Sequence, residues 1–224
     1  MAKEKKKSPI TPARPCIYAF LKQPDTRWKK TGEYKVSLVF DQDDEFIAKV
    51  EAKAKKEFKL AKENMKPDLA KLAEYNSPVK PELDTEKNET GNVILAFKSN
   101  AQYQDKKTEE IVQVVMKVFD AQGNRIKNLP NIGNGSKLAI SFNPVSSVIV
   151  SEHKKLGTEV NCYLSLWMNA VQLLELVEFN PDGTSYGFGK EEGGYDAGDQ
   201  EEDGENSFTS PDSTSDTVVD PDEF

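Results

Sequence analysis

The sequence is poor in the side chains that hold metals and cross-links: its 224 positions contain two cysteines, Cys16 and Cys162, and one histidine, His153. Without a Cys/His cluster there is no zinc-ligand pattern. Two isolated cysteines fit a reducing cytoplasm better than a disulfide-stapled secreted fold. No apolar run approaches the roughly 20 residues that span a bilayer. The charged residues 3–7 lead into no apolar segment, so neither a membrane anchor nor a signal peptide is expected. Catalytic constellations are missing as well. His153 has no nucleophile or acidic partner at a telling spacing. Gly133-Asn134-Gly135-Ser136-Lys137 places serine before lysine and a strand pattern after it, which a phosphate loop does not, so its glycines read as turn formers. The acidic run 41–45 lacks the rest of a calcium loop and reads as helix capping. The expectation is a non-enzymatic chain with no cofactor and no metal.

What the sequence has in quantity is charge, and it is segregated. Hydrophobic residues make up 37% and charged residues 30%, so part of the chain is expected to lie outside any packed core. Residues 180–224 hold 14 acidic side chains and one basic one, Lys190, for a net charge of −13. Residues 1–179 hold 29 basic against 24 acidic, a net of +5. A mildly basic body therefore precedes a strongly acidic tail, and the overall charge of −8 does not count against an anionic partner.

The body reads mostly as strands. Residues 1–15, with Pro9, Pro12 and Pro15, suggest a flexible basic arm. Residues 16–21 suggest a first strand, and 33–40 a second, with Tyr34, Val36, Leu38 and Phe40 on one face at period two. Asp41 and Asp43 are candidate N-caps for an amphipathic helix. Phe46, Ile47, Val50, Ala54, Phe58, Ala61 and Met65 recur there at three- and four-residue spacing. Pro67 ends that helix or starts a short second one, so the helical insertion covers about 43–75. Residues 76–90 suggest a polar loop. Strands follow at 92–97 and 111–119, the latter with Val112, Val114, Met116 and Val118 on one face, then a hairpin turn at 120–124. Further strands are expected at 137–142 and 145–150, and at 160–167 and 171–179 or as one long bent strand. Short strands, many turns and one helical insertion indicate a mostly β protein, an OB-fold-like five-stranded barrel over residues 16–179. Beyond it, residues 180–224 cannot bury enough apolar area to offset their ordering entropy and are expected to be disordered.

Binding an unpaired nucleic-acid strand requires cations that track phosphates and aromatic faces that stack on bases. The body offers both. Arg27, Trp28, Lys29 and Lys30 share one loop, and Lys35 lies on the second strand. Tyr103 precedes Lys106 and Lys107, Arg125 and Lys127 follow the hairpin turn, and Lys137 opens a strand. The same residues also suit a second reading, half-buried aromatics among lysines that keep a surface soluble. The tail ends in Val218-Val219-Asp220-Pro221-Asp222-Glu223-Phe224. Asp220, Asp222, Glu223 and Phe224 form a candidate docking peptide, with the ring entering an apolar pocket and the carboxylates meeting a basic rim; a plain solubility tail is the alternative.

Several blocks together resemble the phage gene 2.5 type of single-stranded DNA-binding protein. They are Glu33-Tyr34-Lys35-Val36, Gln104-Asp105-Lys106-Lys107-Thr108 with the strand to Phe119, and the run from Pro130 through Gly133-Asn134-Gly135-Ser136-Lys137 to Leu138. Leu173-Leu174-Glu175-Leu176 and the acidic tail ending in phenylalanine complete the likeness, which covers most of the chain. The resemblance implies an OB-fold, sequence-independent binding and annealing of single-stranded DNA in phage replication, recombination and repair, and a homodimer. It also implies a tail that contacts the phage DNA polymerase and helicase-primase in the host cytoplasm. It points to Lys106 and Lys107 with Tyr103 nearby, and to Phe224. The loop 27–30 departs from the family pattern, so Trp28 as a stacking residue rests on the residues alone. An RNA-binding or RNA-annealing OB-fold protein and an acidic-tailed chaperone or scaffold are the competing expectations.

Overall fold

The computed structural model describes residues 8–153 and 157–178. Alternation sets its frame. In β2 (Glu33–Asp41) the even positions Tyr34, Val36, Leu38 and Phe40 are buried and the odd positions are turned outward. Five long strands close on one another: β1 (Arg14–Asp25), β2, β5 (Glu89–Asn100), β9 (Lys137–His153) and β10 (Gly157–Glu175). β1 is antiparallel to β2, and β2 to β5, in unbroken register from Glu33↔Asn100 to Asp41↔Asn92. β5 meets β10 in parallel at Leu166↔Phe97, β10 returns antiparallel along β9, and β9 reaches β1 at Leu138↔Arg14 and Lys137↔Pro15. The ring β1-β2-β5-β10-β9 has the strand order of an OB-fold barrel, as the sequence led us to expect. Inside lie Val36, Leu38, Leu95, Phe97, Leu138, Ile140, Leu166 and Val171.

The insertion between β2 and β5 carries α1 (Glu45–Glu63), α2 (Pro67–Leu72), β3 (Ala73–Asn76) and β4 (Val79–Leu83). Ile47, Val50 and Ala54 form the buried stripe of α1, at the expected helical spacing. Phe46 stacks on Phe40 with centroids 5.7 Å apart and meets Phe142 edge-on at 6.2 Å, and Phe142 meets Phe97 at 5.3 Å. These rings tie the helix to the barrel core.

Several local expectations change. The N-cap is Asp44, not Asp41 or Asp43: its Oδ1 accepts the Phe46 N–H at 2.7 Å while its Oδ2 pairs with Arg14 of β1. The loop expected at 76–90 contains β4, paired with β5, and β3 at its start runs parallel to β10. The single strand expected at 111–119 is two pieces, β7 (Ile111–Gln113), which pairs with β6 (Gln102–Gln104), and β8 (Val118–Phe119), which pairs with β10. Its inward positions Met116 and Val118 are nevertheless buried. Residues 137–150 are one strand rather than two, and β10 is one strand bent by a bulge between Met168 and Ala170. Residues 8–13, expected within a flexible arm, lie along β9: the Thr11 N–H donates to the Ile140 carbonyl and the Phe142 N–H to the Pro9 carbonyl, each at 3.0 Å.

Replacing Asp44 with alanine removes the α1 cap and the partner of Arg14, and should lower stability by about 1 kcal/mol in urea unfolding. Asp44→Asn, which keeps the cap acceptor, should lose less.

Candidate nucleic-acid interface

Because the even positions of β2 fill the core, Lys35 and Ser37 face outward, and strand register decides what lies beside them. Lys35 pairs with Phe20 of β1 and Lys98 of β5, and Lys98 pairs with Trp167 of β10. One row, Phe20-Lys35-Lys98-Trp167, therefore crosses four strands on the outer surface. Its charges sit on its rings. The Lys35 ammonium is 5.0 Å from the Phe20 centroid, the Arg27 guanidinium 5.3 Å from the same centroid, and the Lys98 ammonium 5.4 Å from Trp167. Ser37 and Ala96, opposite one another in register, keep the surface low beside this row. The result is a groove of about 220 Å³ lined by Tyr18, Phe20, Arg27, Lys35, Ser37 and Ala96.

Asp25 organises the cations. Its side chain is only 4% exposed. Its Oδ1 accepts from the Arg27 Nε at 3.1 Å and the Arg27 backbone N–H at 2.9 Å, its Oδ2 accepts from Nη2 at 3.2 Å, and Lys35 pairs with the same Oδ2. The hydrogen bonds from Arg27, then from Lys35, hold its carboxyl well below the ordinary carboxylate range. The cluster keeps a net charge of one positive unit and presents two cations in a fixed place.

The loop between β1 and β2 borders this face. Gly32, with φ of 73°, packs so closely on Pro24 and Ala101 that an added Cβ would lie 3.0–3.1 Å from their side chains. Trp28 is 92% exposed, and Lys29 donates to the Asn100 side chain at 2.6 Å. Lys30 is exposed beside them. The β6–β7 hairpin starts where this loop ends, through the Ala101 N–H to the Gly32 carbonyl at 3.2 Å. The Asp105 Oδ1 accepts the Lys107 and Thr108 N–H groups at 2.7 and 3.2 Å, which sets Lys106 and Lys107 at the hairpin tip, with Tyr103 half exposed on its stem. The structure thus brings Arg27, Trp28, Lys29, Lys30, Lys35, Tyr103, Lys106 and Lys107 to one region. Arg125 and Lys127 flank a different turn, which Gln172 of β10 holds through the Asp120 carbonyl at 3.1 Å, and Lys137 is paired with Glu175 at 2.7 Å. Asp220, Asp222, Glu223 and Phe224 lie outside the described residues. Among the described residues no group of three His, Cys, Asp or Glu side chains could hold a metal, and no helix is long and apolar enough to cross a membrane.

Sequence reasoning missed Phe20, Asp25, Lys98, Trp167 and Tyr18. Trp167 had a signal: it stands between Leu166 and Met168, both buried, so alternation turns it outward. Phe20 and Lys98 had none, because their place in the row depends on register between distant strands. For Asp25 we expect a pH signature. Its ionised form stabilises the fold above the unfolded value of about 3.9, and that contribution is lost as pH falls below it towards the lower folded value. Asp25→Asn should therefore lower the urea midpoint at pH 7, and the gap from wild type should narrow progressively below about pH 4.

The family model described as single-stranded DNA-binding protein of bacteriophage T7 matches residues 12–175. The single-stranded DNA-binding protein of Escherichia phage T7 is 27% identical over 208 residues, covering 87% of this chain and 86% of its own. That of Enterobacteria phage T3 is 27% identical over 194 residues, covering 80% and 81%. The crystal structure of gp2.5, a single-stranded DNA-binding protein encoded by bacteriophage T7, matches with a TM-score of 0.58 and 26% identity, over 86% of this chain and 100% of that one. These relatives are binding proteins rather than enzymes, in keeping with the lack of a catalytic constellation in the sequence. With the family model spanning nearly the whole barrel, the chain belongs to the T7 family of phage single-stranded DNA-binding proteins.

Proposed function

We propose that this protein binds single-stranded DNA without reading its sequence, along the row Phe20-Lys35-Lys98-Trp167 and the bordering loop 27–30 and β6–β7 hairpin. The observation that carries this reading is the stacking of cations beside aromatic rings in one register across four strands. Phosphates would take the ammonium and guanidinium groups, and released counterions would supply salt-dependent affinity. Unpaired bases would stack on the exposed rings at about 1–3 kcal/mol each, with no base-edge code. Duplex bases are already stacked and gain less, which favours single strands. Arg125, Lys127 and Lys137 are secondary candidates, because no described contact joins them to the row.

The proposed setting is phage DNA replication, recombination and repair in the host cytoplasm. There the protein, as a homodimer, would protect and anneal single strands. The domain division is part of the proposal: a basic arm, a binding barrel and an acidic tail from residue 180. The tail, at −13 against a body of +5, would visit the basic groove in free protein and be displaced by DNA. Asp220, Asp222, Glu223 and Phe224 would then dock on the phage DNA polymerase and helicase-primase.

Titrating binding to oligo-dT against salt should give a slope of about −0.7 per phosphate contact, and Lys98→Gln should flatten it by about 0.7. No binding at low salt would favour a scaffold instead, and a clear preference for oligo-rU an RNA-binding role. Deleting the residues after Asp196 should tighten DNA binding at low salt; unchanged or weaker binding would defeat the competition. Removing Phe224 alone should spare DNA binding and weaken capture of the polymerase.

A further inference from the structure

Three described residues other than glycine have positive φ: Lys87 at 67°, Glu109 at 60° and Tyr18 at 54°. Lys87 and Glu109 sit in turns, with their N–H groups bonded to the Asp84 and Asp105 carbonyls. Tyr18 lies within strand β1. Left-handed backbone at a bulky residue inside a strand is costly and persists only where its surroundings enforce it.

The enforcing contacts can be named. Ile17 pairs with Ser37 and Phe20 with Lys35, so two residues of β1 oppose one residue of β2. Tyr18 is the first residue of this bulge. Its N–H donates to the Asn134 Oδ1 at 3.0 Å. The turn that carries Asn134 is itself fixed to β1, with the Gly135 N–H on the Cys16 carbonyl at 2.8 Å and the Cys16 N–H on the Ser136 carbonyl at 2.8 Å. The ring that results is 62% exposed and lines the groove with Arg27 and Lys35. Phe20, the other ring of that groove, already carries both cations.

We infer that Tyr18 is the stacking platform for one unpaired base in the groove between β1 and β2, and that Asn134 is the positioning residue that holds the strained bulge. The inference rests on the proposed single-strand binding. A base lies on the phenol ring above the low surface of Ser37 and Ala96, and its phosphate meets the Arg27–Lys35 pair. Ring stacking asks for no particular base.

The test is fluorescence anisotropy of labelled oligo-dT with the full-length protein, across a salt series, with thermal unfolding in parallel. Tyr18→Ala should weaken binding by about five- to hundredfold with an unchanged salt slope, because the lost group carries no charge. Tyr18→Phe should bind like wild type. Tyr18→Gly should lose binding as alanine does while melting no lower than alanine does, since glycine adopts positive φ freely. Asn134→Ala should weaken binding less than Tyr18→Ala, and Asn134→Asp, which keeps the acceptor, should restore most of it. Wild-type affinity in Tyr18→Ala, or a loss in Tyr18→Phe equal to that in alanine, would overturn the stacking role while leaving single-strand binding in place. If wild type binds no oligonucleotide at low salt, both readings fall together.

Discussion

The outer surface of this barrel depends on how one of its two short seams, that between β1 and β9, is closed. β1 and β9 share two residue pairs, Leu138↔Arg14 and Lys137↔Pro15, against the long ladder between β9 and β10. The turn at residues 133–136 makes up the deficit. The Ser136 hydroxyl, fully buried, donates to the Gly133 carbonyl at 2.8 Å and accepts the Val177 N–H at 2.9 Å, and the Gly133 N–H donates to the Val177 carbonyl at 2.7 Å. Backbone bonds to Cys16 attach the same turn to β1. Gly135 has φ of 91°, which a side chain would resist. Residues that could be mistaken for a phosphate loop thus hold β1 against the end of β10. Phe20, Asp25, Tyr18 and the loop that follows all hang from β1.

Asp25 sets the character of the face. A buried carboxylate among cations costs desolvation, which its several hydrogen bonds offset. In return it orders Arg27 and Lys35 before any ligand arrives, so less side-chain freedom remains to be lost on binding. Lys98 and Trp167 form a second cation–ring pair on the far side of the same row. The arrangement repeats one motif, a ring under a cation, and in the proposed reading phosphates would take the cations and bases the rings.

Much of the barrel was legible because burial writes alternation into a sequence. β2 and α1 were readable from one buried face each, and the likeness to the phage family agreed with the family model. The errors share a cause. Asp41, Asp43 and Asp44 are all competent caps by type, and the choice fell to Asp44, which also reaches Arg14, 30 positions away. Residues 111–119 kept their alternation, but the strand changes partner from β6 to β10 partway along. β3 and β4 were hidden because strands at the margin of a sheet need few apolar residues, and Pro78 and Pro81 read as breakers. For the proposed binding face, the loop cations and Trp28 were visible as a cluster in sequence. The row was not, since it joins residues from β1, β2, β5 and β10 through register alone. The bulge at Tyr18 leaves no mark in composition.

β10 carries a further consequence. It pairs with β3, β5, β8 and β9, yet among the described residues it comes last of the ten strands. During synthesis, β1, β2 and β5 can form a meander well before the strand that joins β5 to β9 exists. Until residues 157–175 leave the ribosome, that meander keeps open edges, and pairings such as Phe97 with Leu166 and Lys98 with Trp167 cannot form. Closure is then a single late event dominated by non-local pairing. Such topologies fold slowly, on millisecond-to-second scales, and are exposed to misassociation while they wait.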